Sequence, residues 1–322
     1  MSILLIPSNE KYWSGRTDSE TDRAAFRTHQ IIQFSEIKES ATNKTCTLIG
    51  FSSEEGVRRN NGRLGAAEGP NALRNELAKL PWRLPTDCQL VDVGTVVCEN
   101  GQLEQAQAEL GAVVQKSLLY HTKPVILGGG HETAYGHYTG VRDFLGPDAK
   151  LGVINIDAHF DLRGYDEQPS SGTMFKQMLD ADPNVDYLVL GIQEFGNTDA
   201  LFAEADAKGV TYVTEQEIST SLLDDTLQKI QLFIDKQDAI LLTLCSDVLN
   251  SAYAPGVSAP SPFGLDPLIV RSFIQTVASH KKTLSFDISE INPSLDHHNQ
   301  TVKLGAYLTN EAIFALLGGR IT

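Results

Sequence analysis

The chain has 322 residues, 41% of them hydrophobic and 21% charged, with a formal net charge of −15. That length suits one large α/β domain or two smaller ones, with a core of ordinary size. The acidic balance excludes nucleic acid as a partner, since that needs basic surface, while leaving room for a local arginine cluster to hold an anionic small molecule. No uninterrupted apolar segment approaches the roughly 20 residues that cross a bilayer, so no membrane partner is expected. The start, Met1-Ser2-Ile3-Leu4-Leu5-Ile6-Pro7, lacks the basic residues and long apolar stretch of a signal peptide. Cys46, Cys88, Cys98 and Cys245 show no CxxC pairing. Reduced thiols and a cytoplasmic location are the expectation.

The first 40 residues are polar, charge-rich and weakly periodic, and are expected to form an ordered extension packed on the domain. Residues 45–51 read as a buried strand, followed by a polar, glycine-containing loop through Gly69. Pro70 suits the first turn of a helix over Asn71 to Ala78. Gln89 to Val93 reads as a short strand, and residues 103–119 carry helical spacing. The apolar runs Pro124–Leu127, Leu151–Ile156, Tyr187–Leu190, Ala239–Leu244 and Thr283–Ile288 are too short for helices, and helical patterns such as 222–235 and 267–279 separate them. This alternation implies βαβ units and a mainly parallel sheet, an α/β fold. With no repeat, low-complexity segment or linker, one domain over residues 1–322 is the simplest reading.

Three patterns follow apolar runs: Gly128-Gly129-Gly130-His131-Glu132, Asn155-Ile156-Asp157-Ala158-His159-Phe160-Asp161, and Cys245-Ser246-Asp247. Each would sit at a strand's carboxyl end, the rim where sites form in open α/β sheets. Asp157, His159 and Asp161 are spaced i, i+2, i+4, which aims all three the same way as the strand runs out, and Cys245 and Asp247 repeat the i, i+2 step. Three glycines before His131 let the backbone turn tightly toward a helix beginning near Glu132. Taken singly, each pattern has a plainer reading: a capped turn, a glycine before a helix, a buried cysteine. Their coincidence at three strand ends points to a metal site. Five of the six groups are oxygen or nitrogen ligands suited to manganese or zinc, and Cys245 is the sulfur exception. Six ligands exceed the needs of one four-coordinate ion and suit two ions about 3.5–4 Å apart. His121 and His137 lack a partner at metal spacing and are expected in surface or capping roles; His297-His298 is expected in solvent. Ser171 lacks the histidine–acid arrangement of a serine nucleophile.

The glycine–histidine and NIDAHFD motifs, with Ala254-Pro255-Gly256-Val257-Ser258-Ala259-Pro260, resemble the ureohydrolase family of arginases, agmatinases and formimidoylglutamases, from about Phe51 to Gly319. The resemblance implies a three-layer α/β/α fold and a binuclear manganese centre whose bridging hydroxide attacks an amidine or guanidinium carbon. It puts His131, Asp157, His159, Asp161 and Asp247 on metal-ligand positions, with Asp161 expected to bridge the ions and help move the proton. Cys245 stands where the family has a second bridging aspartate, so it either ligates or weakens one site. Glu290 matches the glutamate that pairs with the amidinium. Ser170-Ser171-Gly172-Thr173, Trp13-Ser14-Gly15-Arg16-Thr17-Asp18, residues 56–63 and Asp161-Leu162-Arg163 look like the formimidoylglutamase branch. That branch implies hydrolysis of N-formimidoyl-L-glutamate in histidine degradation, two Mn2+ per subunit, and a homo-oligomer. The dicarboxylate tail of such a substrate calls for cations: Arg163 first, then Arg59 and Arg63, with Ser171 also at the substrate. The alternatives are a ureohydrolase acting on another guanidino or amidino acid, or a metal-depleted binding protein.

Overall fold

A computed structural model describes residues 5–38, 44–166, 168–218 and 220–319. Its centre is a ten-stranded sheet, built from β1 (Leu5–Ile6), β2 (Gln33–Phe34), β3 (Thr45–Ser52), β4 (Gln89–Val97), β5 (Lys123–Leu127), β6 (Leu151–Ile156), β7 (Val185–Ile192), β8 (Thr211–Thr214), β9 (Ala239–Cys245) and β10 (Thr283–Ser289). The spatial order is β1-β4-β3-β5-β10-β9-β6-β7-β8, with β2 also on β4. Every pairing is parallel except β1 with β4.

Nine helices connect and cover the sheet among the described residues: α1 (Glu55–Arg59), α2 (Gly69–Leu77), α3 (Leu103–Leu119), α4 (Thr133–Leu145), α5 (Met174–Ala181), α6 (Asp199–Ala207), α7 (Leu223–Asp235), α8 (Pro267–Ala278) and α9 (Gln300–Leu316). Strand side chains alternate between two apolar cores. Leu48, Leu127, Ile156, Leu244 and Ile288 face α2, α7, α8 and α9, whereas Ile49, Ile126, Val153 and Leu241 face α3, α4 and α5. This is the three-layer α/β/α sandwich. It explains why β6 is buried throughout and apolar but for Asn155: both its faces are covered, so period-two alternation disappears.

One row of residues places the site. Leu127, Ile288, Leu244 and Ile156 are register partners across β5, β10, β9 and β6. The segments that follow them therefore leave the sheet at one level, side by side, although they lie far apart in sequence.

The expected elements recur with differences. β4 runs on to Val97 rather than ending at Val93, through Gly94 (φ 117°) and a register shift opposite Leu48 and Gly50, where regular alternation breaks. The loop before Gly69 contains α1. α9 has no counterpart among the expected helices; Asn299, a residue type favoured at helix starts, precedes it in a left-handed conformation without a side-chain cap.

Of the amino-terminal extension, residues 1–4 and 39–40 lie outside the described residues. β1 and β2 lie along β4, and Trp13 is buried with its Nε1–H donating to Asp92 Oδ2 at 2.8 Å. Asp92 in turn holds Arg74 at 2.8 and 2.9 Å, a bidentate pair in which both residues are buried. Among the described residues no helix is long and apolar enough to cross a membrane.

Candidate metal centre

His131 is delivered by the triple glycine after β5. The turn is possible only because Gly129 has no side chain: a Cβ there would lie 1.9 Å from the carbonyl oxygen of Ser53 at the end of β3. α4 begins at Thr133, close to the expected start. The His131 ring packs edge-on against Phe175, which itself stacks on Tyr187. Its Nδ1 lies 3.1 Å from Asp157 Oδ2 and 3.0 Å from Asp161 Oδ2. From the end of β6, His159 Nδ1 lies 3.2 Å from Asp247 Oδ2 and 3.6 Å from Asp157 Oδ1.

The ligating atoms fall into two overlapping groups, His131–Asp157–Cys245 and Asp157–His159–Asp247, each within 4.8 Å of one another. Five of the six residues that the sequence nominated fall in these groups, and Asp161 reaches them through His131 Nδ1. The expected roles shift in one respect. Asp157, not Asp161, belongs to both groups, because it is the first residue past β6 and sits between the two histidines. Asp161 takes a left-handed backbone (φ 51°) that turns its carboxylate back to the His131 side. Asn155 Nδ2 and the His159 backbone N–H each donate to Asp157, fixing its carboxylate.

The charges are arranged as a cation site. Burial alone would lower the pKa of His131, but Asp157 and Asp161 hold it well above its ordinary value. Burial likewise opposes charge on His159, and Asp247 and Asp157 hold its pKa well up. Asp157, despite burial, is kept below the usual carboxylate range by the two histidines. Burial, then the charge of Asp157, raises Asp161. The Cys245 thiol is pushed far up by burial and by the surrounding carboxylates. Asp247 Oδ1 is buried with no hydrogen-bond partner among the described residues. Excess negative charge, a bare carboxylate oxygen and two converging donor groups fit two divalent cations, which would reverse the pressure on Cys245. The sulfur at that position is the part of the set least typical of manganese.

A cavity of about 290 Å³ opens over the centre, lined among others by Glu290, Arg163, Arg63, Ser171 and Asn60. Glu290, also left-handed (φ 68°), follows β10 and accepts the His131 backbone N–H at 2.9 Å. Burial, then the charges of Asp247 and Glu132, raises its pKa to about 8. With Asn61 (φ 59°), three non-glycine residues lining this one cavity are left-handed, backbone strain of the kind that clusters at functional sites. Arg163 is exposed and donates to Asn60 Oδ1 at 3.3 Å. Arg63 is partly spent, donating to the carbonyls of Ser258 and Val257.

Arg59 departs from its expected place at the substrate tail. Its guanidinium is engaged by Glu55, Glu104 and the carbonyls of Gly101 and Pro169, outside the cavity lining. Two acidic neighbours on α1 and α3 reach it first, so it braces the Ser170–Ser171 loop instead. His137, expected at the surface or in a cap, is fully buried on α4 against Asp287 and Ser285. The available signal was the polar alternation Ser285, Asp287, Ser289 within an otherwise apolar strand. Asn60 and Asn61, given no role of their own within residues 56–63, also line the cavity, where the Asn-Asn-Gly run marks a turn. His121, His297 and His298 are exposed, as expected.

A sequence profile of the arginase family matches residues 44–315. A formimidoylglutamase of Lysinibacillus sphaericus is 53% identical over 97% of this chain and 98% of its own length. One from Geobacillus thermodenitrificans is 49% identical over 95% and 96%. Among solved structures, a formimidoylglutamase from Bacillus subtilis superposes with a TM-score of 0.83 at 24% identity, covering 94% of this chain and 96% of that one. A Trypanosoma cruzi formiminoglutamase with Mn2+ gives a TM-score of 0.77 at 21% identity, covering 88% and 98%. The chain belongs to the arginase family.

Proposed function

We infer that this chain hydrolyses N-formimidoyl-L-glutamate to L-glutamate and formamide, a step of histidine degradation, with two manganese ions held by His131, Asp157, His159, Asp161, Cys245 and Asp247. The observation that carries the reading is a single small cavity joining the cation site, a buried acidic group and an arginine charge with room to bind. Relatives covering nearly the whole chain bear the formimidoylglutamase name.

Two dications in this donor set would supply Lewis acidity, bringing the pKa of water toward 7. The chain's own residues do the rest. Glu290 faces the cavity as the partner of the amidinium N–H groups. An arriving cation draws its raised pKa back down, so the ion pair and its charge-assisted hydrogen bonds form together. Arg163 takes a tail carboxylate, with Ser171 and the free end of Arg63 beside it. A water oxygen adds to the formimidoyl carbon, the bond from that carbon to the glutamate nitrogen breaks, and the nitrogen leaves as an amine after gaining a proton. Asp161, which lines the cavity, carries that proton from water to nitrogen.

The test is elemental analysis of the purified chain beside formamide release from N-formimidoyl-L-glutamate, with and without added manganese. Close to two metals per chain and manganese-dependent turnover are expected. Metal without formamide would redirect the search to other amidino or guanidino acids, and absence of both would overturn the reading.

A further inference from the structure

Beneath the metal ligands lies a series of polar side chains that the reaction does not touch. His131 Nε2, the nitrogen turned away from Asp157 and Asp161, is 3.1 Å from Thr243 Oγ1. Thr243 Oγ1 donates to Asp287 Oδ1 at 2.8 Å, Asp287 Oδ2 faces His137 Nδ1 at 2.6 Å, and His137 Nε2 faces Ser285 Oγ at 2.6 Å. Thr243 and Asp287 are register partners on β9 and β10, so they stand side by side on one face of the sheet. Thr243, Asp287, His137 and Ser285 are all fully buried.

We propose that His137, Asp287 and Thr243 form a relay that fixes which nitrogen of His131 faces the metal ions, and that all three are positioning residues for the centre. The polarity follows from what each group can do. The Asp287 carboxylate only accepts, so the Thr243 hydroxyl donates its hydrogen bond to it. Thr243 then turns only lone pairs toward His131, and Nε2 must carry the hydrogen. That leaves Nδ1, pointing at Asp157 and Asp161, as the nitrogen that ligates. His137 donates from Nδ1 to the second oxygen of Asp287 and accepts the Ser285 hydroxyl on Nε2, which holds the carboxylate in place. A ligating histidine characteristically donates its other ring N–H in this way, and losing such a partner typically costs 10- to 100-fold in metal affinity. A buried acid–imidazole couple in the middle of an apolar sheet is a poor choice for stability alone. Its outlet toward the cavity is His131.

The inference rests on the metal reading above, and its test separates the two. Manganese is titrated into the full chain against a fluorescent chelator, which reads stoichiometry and stepwise affinities. The wild-type chain is expected to take two ions. Thr243→Val, which keeps shape and removes the acceptor, should weaken one of the two steps 10- to 100-fold, and Thr243→Ser should restore it. His137→Leu should do the same as Thr243→Val, while His137→Asn, whose amide N–H can replace Nδ1–H, should recover affinity. The His137 pair gives the same comparison should the threonine variant fold poorly. Two ions bound with wild-type affinities by Thr243→Val or His137→Leu would overturn the relay alone. So would a loss spread evenly over both steps and tracking thermal stability. A wild-type chain that takes up no metal would overturn the centre and the relay together.

Discussion

Replacing Arg163 by alanine isolates the contribution of the substrate's tail. Arg63 and Arg59 spend their guanidinium groups on Ser258, Val257, Glu55, Glu104 and two further carbonyls. Among the described residues Arg163 spends one N–H, on Asn60 at 3.3 Å. It is therefore the cavity cation with most of its fork left for a carboxylate. A hydrogen bond to a charged group contributes about 1.5–3 kcal/mol. The arginine is exposed, and water screens the pair, so the lower end applies. At 1.36 kcal/mol per tenfold, about 1.5–2 kcal/mol corresponds to a loss of about 10- to 30-fold in kcat/KM. The tail does not change during reaction, so the loss should appear mainly in KM. Steady-state formamide release measures it, with N-formimidoyl-L-glutamate compared against an N-alkyl formamidine lacking carboxylates. The alkyl substrate should change less than about twofold, since it makes no contact that RT-scale energies would register. Equal losses on both substrates would show that Arg163 supports the site's shape rather than the tail, and would refute the assignment.

Other consequences of the structure can be checked directly. Manganese at a hundred times its dissociation constant should stabilise the metal-free chain by about 2.7 kcal/mol, read as a rise in thermal midpoint. Cys245→Ala removes one member of the His131 group and should leave one tightly held ion; undiminished two-metal occupancy would show that the thiol is not a ligand. Asp92→Ala strands the buried Arg74 and frees Trp13, and should cost about 3–5 kcal/mol in urea unfolding while leaving the metal residues untouched. Gly129→Ala drives a methyl group into the Ser53 carbonyl, with a Cβ to oxygen distance of 1.9 Å, so little folded protein should be recovered; a soluble, fully active variant would disprove that close approach.

The apolar runs, the order of strands and helices, and the three ligand motifs were legible in the amino-acid sequence because each depends on local physics. A parallel strand covered on both faces must be apolar along its length, and residues just beyond it must be polar if they ring a site. Spacing singled out Asp157, His159 and Asp161 together, although β6 ends at Ile156 and the three are carried by bends rather than by strand alternation. What tertiary structure alone decided was adjacency. Nothing local says that β5, β10, β9 and β6 lie side by side, yet the row Leu127–Ile288–Leu244–Ile156 is what brings Glu290 and Cys245 to His131. Whether Asp157 or Asp161 is shared depends on a left-handed turn at Asp161, invisible in a string of letters. Arg59 and Arg163 are the same residue type, but Glu55 and Glu104 fold against one and leave the other facing the cavity. His137 read as a stray surface histidine until α4 laid it on Asp287, some 150 positions along the chain. The partners of a charged or polar group are set by through-space packing, and that packing is complete only when the whole sheet has assembled.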